Sequence, residues 1–408
     1  MLLTPDSAKR RTAPNRKEPQ AGYTDMSSNR EKRERRNANI KRTAVSIVMF
    51  SLVAGGVITY SMYQQRKAAE AQIYERNAEG EEAAGYEYIS EAQPETMARR
   101  DPDETFKYYL KFRDEWQVQE DGTVIYRDKH YRRASYIKAT LAVGVDRSDG
   151  LGEGVDVFHS GQNDVDLVIA QDTTRNSIRI LMLPRNAIVE MGISDDSGEW
   201  TGKDYDQLCL AYAYGDGGET SVQNTVDAVS WMLLGMQPDH YAVTDMGILN
   251  RVNDAVGGVT VTIPNDELVK VDPTWTKGSV VTLQGDEAER FIRYRDTGAD
   301  NTALYRMQQH SAYMLGFYDT LQAKARVNSG IVTDLYDLVQ NDMLTDLQKD
   351  EFLKLVLDAV STGTLSAEDI TTLPGVAIAA DENYEWDRVF VDYNSAIPVI
   401  LDMFYREI

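Results

Sequence analysis

The chain has 408 residues, 42% of them apolar, and a formal net charge of -22. That is room for one large or two small domains with a real core, which excludes a disordered protein. The charge is divided: residues 1–43 carry twelve Lys or Arg against five Asp or Glu, so the rest is still more acidic. So negative a body repels the phosphate backbone and argues against nucleic-acid binding by the main domain.

Residues 1–43 show few apolar residues and no helical or strand period, as expected of a disordered basic tail that touches anionic lipid. Ala44 to Tyr63 is a twenty-residue stretch free of charge, just long enough to span a bilayer. Forty-three polar residues before it are too many for a signal-peptide n-region, so it reads as a single transmembrane helix. Arg30, Lys32, Arg33, Arg35, Arg36, Lys41 and Arg42 outweigh Arg66 and Lys67 on its far side, which places the N-terminus in the cytoplasm and the main domain outside the cell. Residues 64–100, rich in Ala and Glu without an apolar face, read as a stalk.

The folded domain is expected over residues 101–408. Asp101-Pro102 signals a helix start leading through Tyr108, Leu110 and Phe112 towards Trp116. A strand follows at Ile137 to Val145. Val165 to Ala170 and Ile178 to Leu183 are apolar runs joined by the turn-rich Gln171 to Ser177, the pattern of a buried hairpin. Next come a helix near Val222 to Leu234, a strand at His240 to Thr244, a helix at Met246 to Ala255 and a strand at Val259 to Ile263. Helices then dominate, at Glu287 to Tyr294, Ala303 to Val327, Thr345 to Ser361 and Asn394 to Glu407. The mixture predicts an α/β fold with some antiparallel pairing. The C-terminal aromatics Tyr384, Trp386, Phe390, Tyr393 and Phe404 read as packing that closes the domain. Cys209, the single cysteine, sits in the apolar run Leu208 to Ala213 and reads as a buried structural residue.

Antiparallel pairing of the hairpin brings Asp164 beside Arg185. Such a pair is either a surface ion pair or part of a site for phosphate and a divalent cation, since arginine forks phosphate oxygens and hard cations take carboxylate. Asp146 ends the preceding strand. Arg293 and Arg295 point across one cleft if their helix ends there, and diverge by about 200° if it continues. The four histidines have no zinc spacing, and the chain lacks a Gly-x-Ser-x-Gly elbow, a Walker loop and paired cysteines. Phosphoryl chemistry by positioning and charge neutralisation is what remains.

An ordered series of segments then carries a resemblance: Ala139 to Asp146, the Asp164 strand, Leu183-Pro184-Arg185-Asn186, Ala211 to Gly215, Asp239-His240-Tyr241, Asn253 to Val261, Leu283-Gln284-Gly285, Arg293-Tyr294-Arg295 and Gln308-Gln309. Over residues 136–325 the chain resembles the LytR-CpsA-Psr family of membrane-anchored glycopolymer phosphotransferases. The resemblance implies a three-layer α/β/α sandwich with a mixed sheet and an apolar cleft for a polyprenyl chain. It also implies transfer of a glycan phosphate from a polyprenyl pyrophosphate-linked donor to peptidoglycan, with Mg2+ near Asp146 and Asp164. Arg185, Arg293, Arg295 and Gln309 match the positions that grip the pyrophosphate, with Arg185 and Asp164 central to catalysis.

Four positions depart from the family pattern. Gln162 stands for an arginine, Asn186 for the aspartate of Pro-Arg-Asp, Gln207 for a lysine and Met307 for a helix arginine. Less positive charge weakens pyrophosphate binding, and Asn186 cannot act as a base. The alternative expectation is therefore a catalytically weakened member that binds polyprenyl phosphates as an envelope scaffold or sensor.

Overall fold

A computed structural model describes residues 102–408 except 148–149, 153–158, 196–197, 297–301, 362–364 and 379–385. The basic tail, the candidate span Ala44 to Tyr63 and the stalk lie outside the described residues. Among the described residues no helix is long and apolar enough to cross a membrane.

Helix α1 (Pro102–Leu110) tightens into a 3-10 turn, Lys111–Glu115, and leads to a meander of β1 (Gln117–Val118), β2 (Val124–Tyr126) and β3 (Lys129–Arg133). The central strands follow: β4 (Ile137–Val145), β5 (Asn163–Asp172) and β6 (Ser177–Leu183), then the hairpin β7 (Ile188–Ser194) and β8 (Trp200–Gln207). After α2 (Glu219–Met232) come β9 (His240–Asp245), α3 (Ile248–Ala255), β10 (Val259–Thr262), β11 (Val280–Leu283), α4 (Glu287–Arg293) and α5 (Thr302–Val327). The chain ends with α6 (Gly330–Val339), β12 (Met343–Thr345), α7 (Lys349–Ser361), β13 (Ile370–Thr372), β14 (Gly375–Ile378), β15 (Arg388–Val391), α8 (Tyr393–Phe404) and β16 (Tyr405–Glu407).

The central sheet is mixed, in the order β12-β9-β4-β5-β6-β13. β4 pairs antiparallel with β5 and parallel with β9, and β6 pairs antiparallel with β5 and parallel with β13. The strict alternation in β4 buries Ile137, Ala139, Leu141, Val143 and Val145 on one face, as a period of two requires. That face packs with Val229 and Met232 of α2 and Ile397 and Ile400 of α8. The opposite face, with Leu167, Ile180 and Met182, meets Met307, Met314 and Leu315 of α5, which stay only partly buried. Helices thus cover both faces of the sheet.

A separate core binds the β10–β11 hairpin to α3 to α7, around Val259, Val261, Phe291, Tyr313 and Val332. α5 approaches β10 so closely that a Cβ on Gly316 would fall 2.3 Å from the Thr260 carbonyl oxygen. Only glycine permits that contact.

Three expectations are corrected in the C-terminal region. The helix expected from Thr345 begins at Lys349, because residues 343–345 pair antiparallel with β9. The helix expected to Glu407 ends at Phe404, because residues 405–407 pair with β3. Phe390, Tyr393 and Phe404 are buried as packing, whereas Trp386 is 66% exposed on the surface segment before β15. Tyr384 lies outside the described residues.

Candidate active site

The site forms where β4 and β5 end together. The Asp146 N–H donates to the Gln162 carbonyl at 2.8 Å. Val145 pairs with Asn163 and Gly144 with Val165, so Asp164 is the extra residue of a bulge. A bulge re-aims a side chain that regular alternation would send elsewhere.

Continuing the β5–β6 register past Asp166↔Leu183 sets Asp164 opposite Arg185. Arg185 Nη2 lies 3.0 Å from Asp164 Oδ1 and donates to Gln162 Oε1 at 2.7 Å. Their side chains are 19% and 15% exposed, so this ion pair is largely buried rather than set on the open surface. Arg185 also anchors the backbone, its carbonyl accepting from the Cys209 N–H at 2.7 Å. Cys209 is buried and free, and burial pushes its thiol up to about 11.

The second half of the site comes from α4 and α5. α4 stops at Arg293, and Tyr294 turns extended with ψ 128°. Both arginines then reach carboxylates across the cleft. Arg293 Nη2 lies 2.7 Å from Asp146 Oδ1, and Arg295 Nη2 lies 3.8 Å from Asp387 Oδ2.

Arg306, which the sequence reading passed over, places Nη1 3.4 Å from Asp164 Oδ2. It sets a cation one residue before Met307, while Met307 turns into the apolar layer under α5. The available signal was helical spacing: Arg306, Gln309 and His310 form an i, i+3, i+4 polar stripe. Burial pushes Arg306 below its ordinary value; Asp164 opposes that, and the like charges of Arg185 and Arg295 add to it. Asp164 is the carboxylate that Arg185 and Arg306 share.

Gln309 is 1% exposed, and its Oε1 has no hydrogen-bond partner among the described residues. It lines a small recess with Glu267, Tyr294, Arg295, Asp296 and Tyr305.

Asp166 was also missed. It lies 1% exposed beneath the site, its Oδ1 accepting from Asn163 Nδ2 at 2.9 Å. Its Oδ2 has no partner among the described residues, and burial raises its carboxyl to about 7. The two neutral departures Asn186 and Gln207 meet on one atom. Asn186 Nδ2 and Gln207 Nε2 donate to the Asp387 carbonyl at 3.3 and 3.2 Å.

For a metal, no group of three or more His, Cys, Asp or Glu converges among the described residues. Magnesium does not need one, since it is usually bound by one or two carboxylates with phosphate and water. Asp146 and Asp164, at the neighbouring ends of β4 and β5, are hard oxygen donors that fit that chemistry.

A protein-family model described as the LytR_cpsA_psr family matches residues 118–391, well over half of the chain. The chain belongs to the LytR_cpsA_psr family. The match reaches past residue 325 and takes in Asp387. Among characterised members, the chain is 25% identical over 261 residues to the polyisoprenyl-teichoic acid–peptidoglycan teichoic acid transferase TagT of Bacillus subtilis, covering 62% of this chain and 70% of that one. It is 25% identical over 198 residues to TagU, of the same description, from Halalkalibacterium halodurans, covering 48% of this chain and 59% of that one. The crystal structure of gbs0355 from Streptococcus agalactiae is 18% identical with a TM-score of 0.50, over 65% of this chain and 86% of that one. That likeness is one of fold.

Proposed function

We propose that this protein transfers a glycopolymer phosphate from a polyprenyl pyrophosphate-linked donor to peptidoglycan or a related envelope acceptor. The observation that carries the reading is the gathering of Arg185, Arg306 and Arg293 on Asp164 and Asp146, the carboxylates at the neighbouring ends of β4 and β5, with Arg295 reaching Asp387. TagT and TagU, by their descriptions, act on polyisoprenyl-linked teichoic acid and peptidoglycan, which supports this class of donor and acceptor.

In such a transfer an acceptor hydroxyl oxygen bonds to the donor phosphorus, and the bond from that phosphorus to the bridging oxygen breaks. Polyprenyl phosphate leaves with the electron pair, and the hydroxyl proton is released to the departing phosphate or to water. Arg185, Arg306 and Arg295 neutralise the pyrophosphate, and their preset positions spare reorganisation as charge moves. Asp146 and Asp164 would hold Mg2+, which supplies neutralisation of the departing phosphate when bound. The partly buried apolar layer between α5 and the sheet suits the lipid tail. Residues 44–63 would anchor the chain, with the main domain on the outer face of the membrane.

The test is binding and turnover of a polyprenyl pyrophosphate-linked glycan with and without Mg2+, for the native chain, Arg185→Ala and Arg306→Ala. Arg185→Ala is expected to lower transfer by a factor of about 10² to 10³ with folding retained, and Arg306→Ala to weaken donor binding. Native binding that neither Mg2+ nor either substitution alters would point to the scaffold alternative.

A further inference from the structure

Two tryptophans stand in water, Trp200 at 67% and Trp386 at 66% exposed. A single exposed indole is ordinary in itself; its mounting decides whether it has a use. Trp200 begins β8, seven residues from Gln207 at the site end of that strand, which puts it about 23 Å away along an extended chain.

Trp386 is mounted at the arginines. The carbonyl of the next residue, Asp387, accepts from Asn186 Nδ2 at 3.3 Å and Gln207 Nε2 at 3.2 Å. Two donors occupy both lone pairs of that oxygen. The Val389 N–H donates to the Asn186 carbonyl at 2.8 Å, and Asn186 directly follows Arg185. Asp387 Oδ2 lies 3.8 Å from Arg295 Nη2, so with consecutive Cα atoms about 3.8 Å apart the Trp386 Cα falls within about 11 Å of that guanidinium. The indole is therefore exposed at the rim of the arginine site, on a segment pinned to the residue after Arg185.

The surrounding charge selects what covers it. Asp387 follows Trp386, and Asp381, Glu382 and Glu385 precede it in the sequence, a run that repels anionic lipid headgroups. A neutral pyranose ring meets no such repulsion. Its C–H face covers an indole and takes both from water, while the hydroxyls at its edge keep their hydrogen bonds. The donor glycan is bonded to the phosphate that the arginines neutralise, so its first sugars lie within reach of this rim.

We propose that Trp386 is the platform on which a sugar ring of the donor glycan stacks beside its phosphate, so that the site selects donors by their glycan. This assignment rests on the transferase reading.

The experiment measures affinity of the full chain for two probes, polyprenyl pyrophosphate carrying an N-acetylglucosamine disaccharide and bare polyprenyl pyrophosphate. Trp386→Ala is expected to weaken the first about tenfold and to leave the second within about twofold. Trp386→Phe should recover most of the loss, and Trp200→Ala should change neither. The assignment is overturned if Trp386→Ala weakens both probes equally or neither, or if it raises the KM for the acceptor while donor affinity holds. It is also overturned if the variant loses affinity for anionic-lipid vesicles instead, which would make the indole a membrane contact. A native chain that binds both probes equally well overturns it and leaves the transferase reading standing; a native chain that binds neither removes both.

Discussion

Acid should destabilise this protein through His310, and His310→Gln should remove that part of the loss. The imidazole is 7% exposed on the inner side of α5. Burial lowers its pKa to about 4; the Arg306 charge pushes the same way, while Asp164 and a hydrogen bond with the Ile292 backbone oppose. An unfolded histidine titrates near 6.5. The folded state therefore refuses a proton that the unfolded state accepts, so the stability is complete above pH ~6.5 and drains as pH falls towards 4. At 1.36 kcal/mol per unit, linkage gives a loss of about 2 kcal/mol at pH 5 and about 3 kcal/mol at pH 4. Urea unfolding at pH 7.5 and pH 5 reads it directly. The native chain should lose about 2 kcal/mol more than His310→Gln between the two conditions. Parallel losses in the two proteins would refute the burial argument.

Asp166 should behave in the opposite sense. Its folded carboxyl, raised to about 7 by burial, makes the charge increasingly costly as pH climbs from about 4 to 7. The stability of Asp166→Asn relative to native should then grow by about 2 to 3 kcal/mol from pH 5 to pH 8, measured by urea unfolding; a flat difference would reject it. Gly316→Ala would drive a methyl into the Thr260 carbonyl and should cost about 2 to 3 kcal/mol. Thermal melting checks this against Gly152→Ala, where a Cβ meets nothing within 4 Å.

What was legible in the sequence was whatever depended on local pattern. The β5–β6 hairpin, its register and the Asp164–Arg185 pair follow from two apolar runs and a polar turn, because a period of two leaves one pairing that buries both faces. The end of α4 was open, and both outcomes for Arg293 and Arg295 were readable; the extended Tyr294 decides between them. Short strands such as β12, β13 and β16 escaped because two or three residues carry no period of their own and are strands only by virtue of partners far away in the chain. Arg306 escaped because attention to Met307 fixed the wrong helical face, one residue and 100° away.

The closing of the outer meander has a consequence for how the chain is made. β3 finishes at Arg133, and its outer neighbour, β16, is the last strand of the chain, about 270 residues later. At ribosomal speeds of about 5 to 20 residues per second, that edge waits roughly 15 to 55 s for its partner. An unpaired edge is an invitation to stray chains, and charge is the usual deterrent. β3 reads Lys-His-Tyr-Arg-Arg, a strand fit to stand alone in water. When the chain end arrives, Lys129 closes on Glu407 at 3.0 Å, so a charge suited to guarding the nascent edge becomes part of its seal.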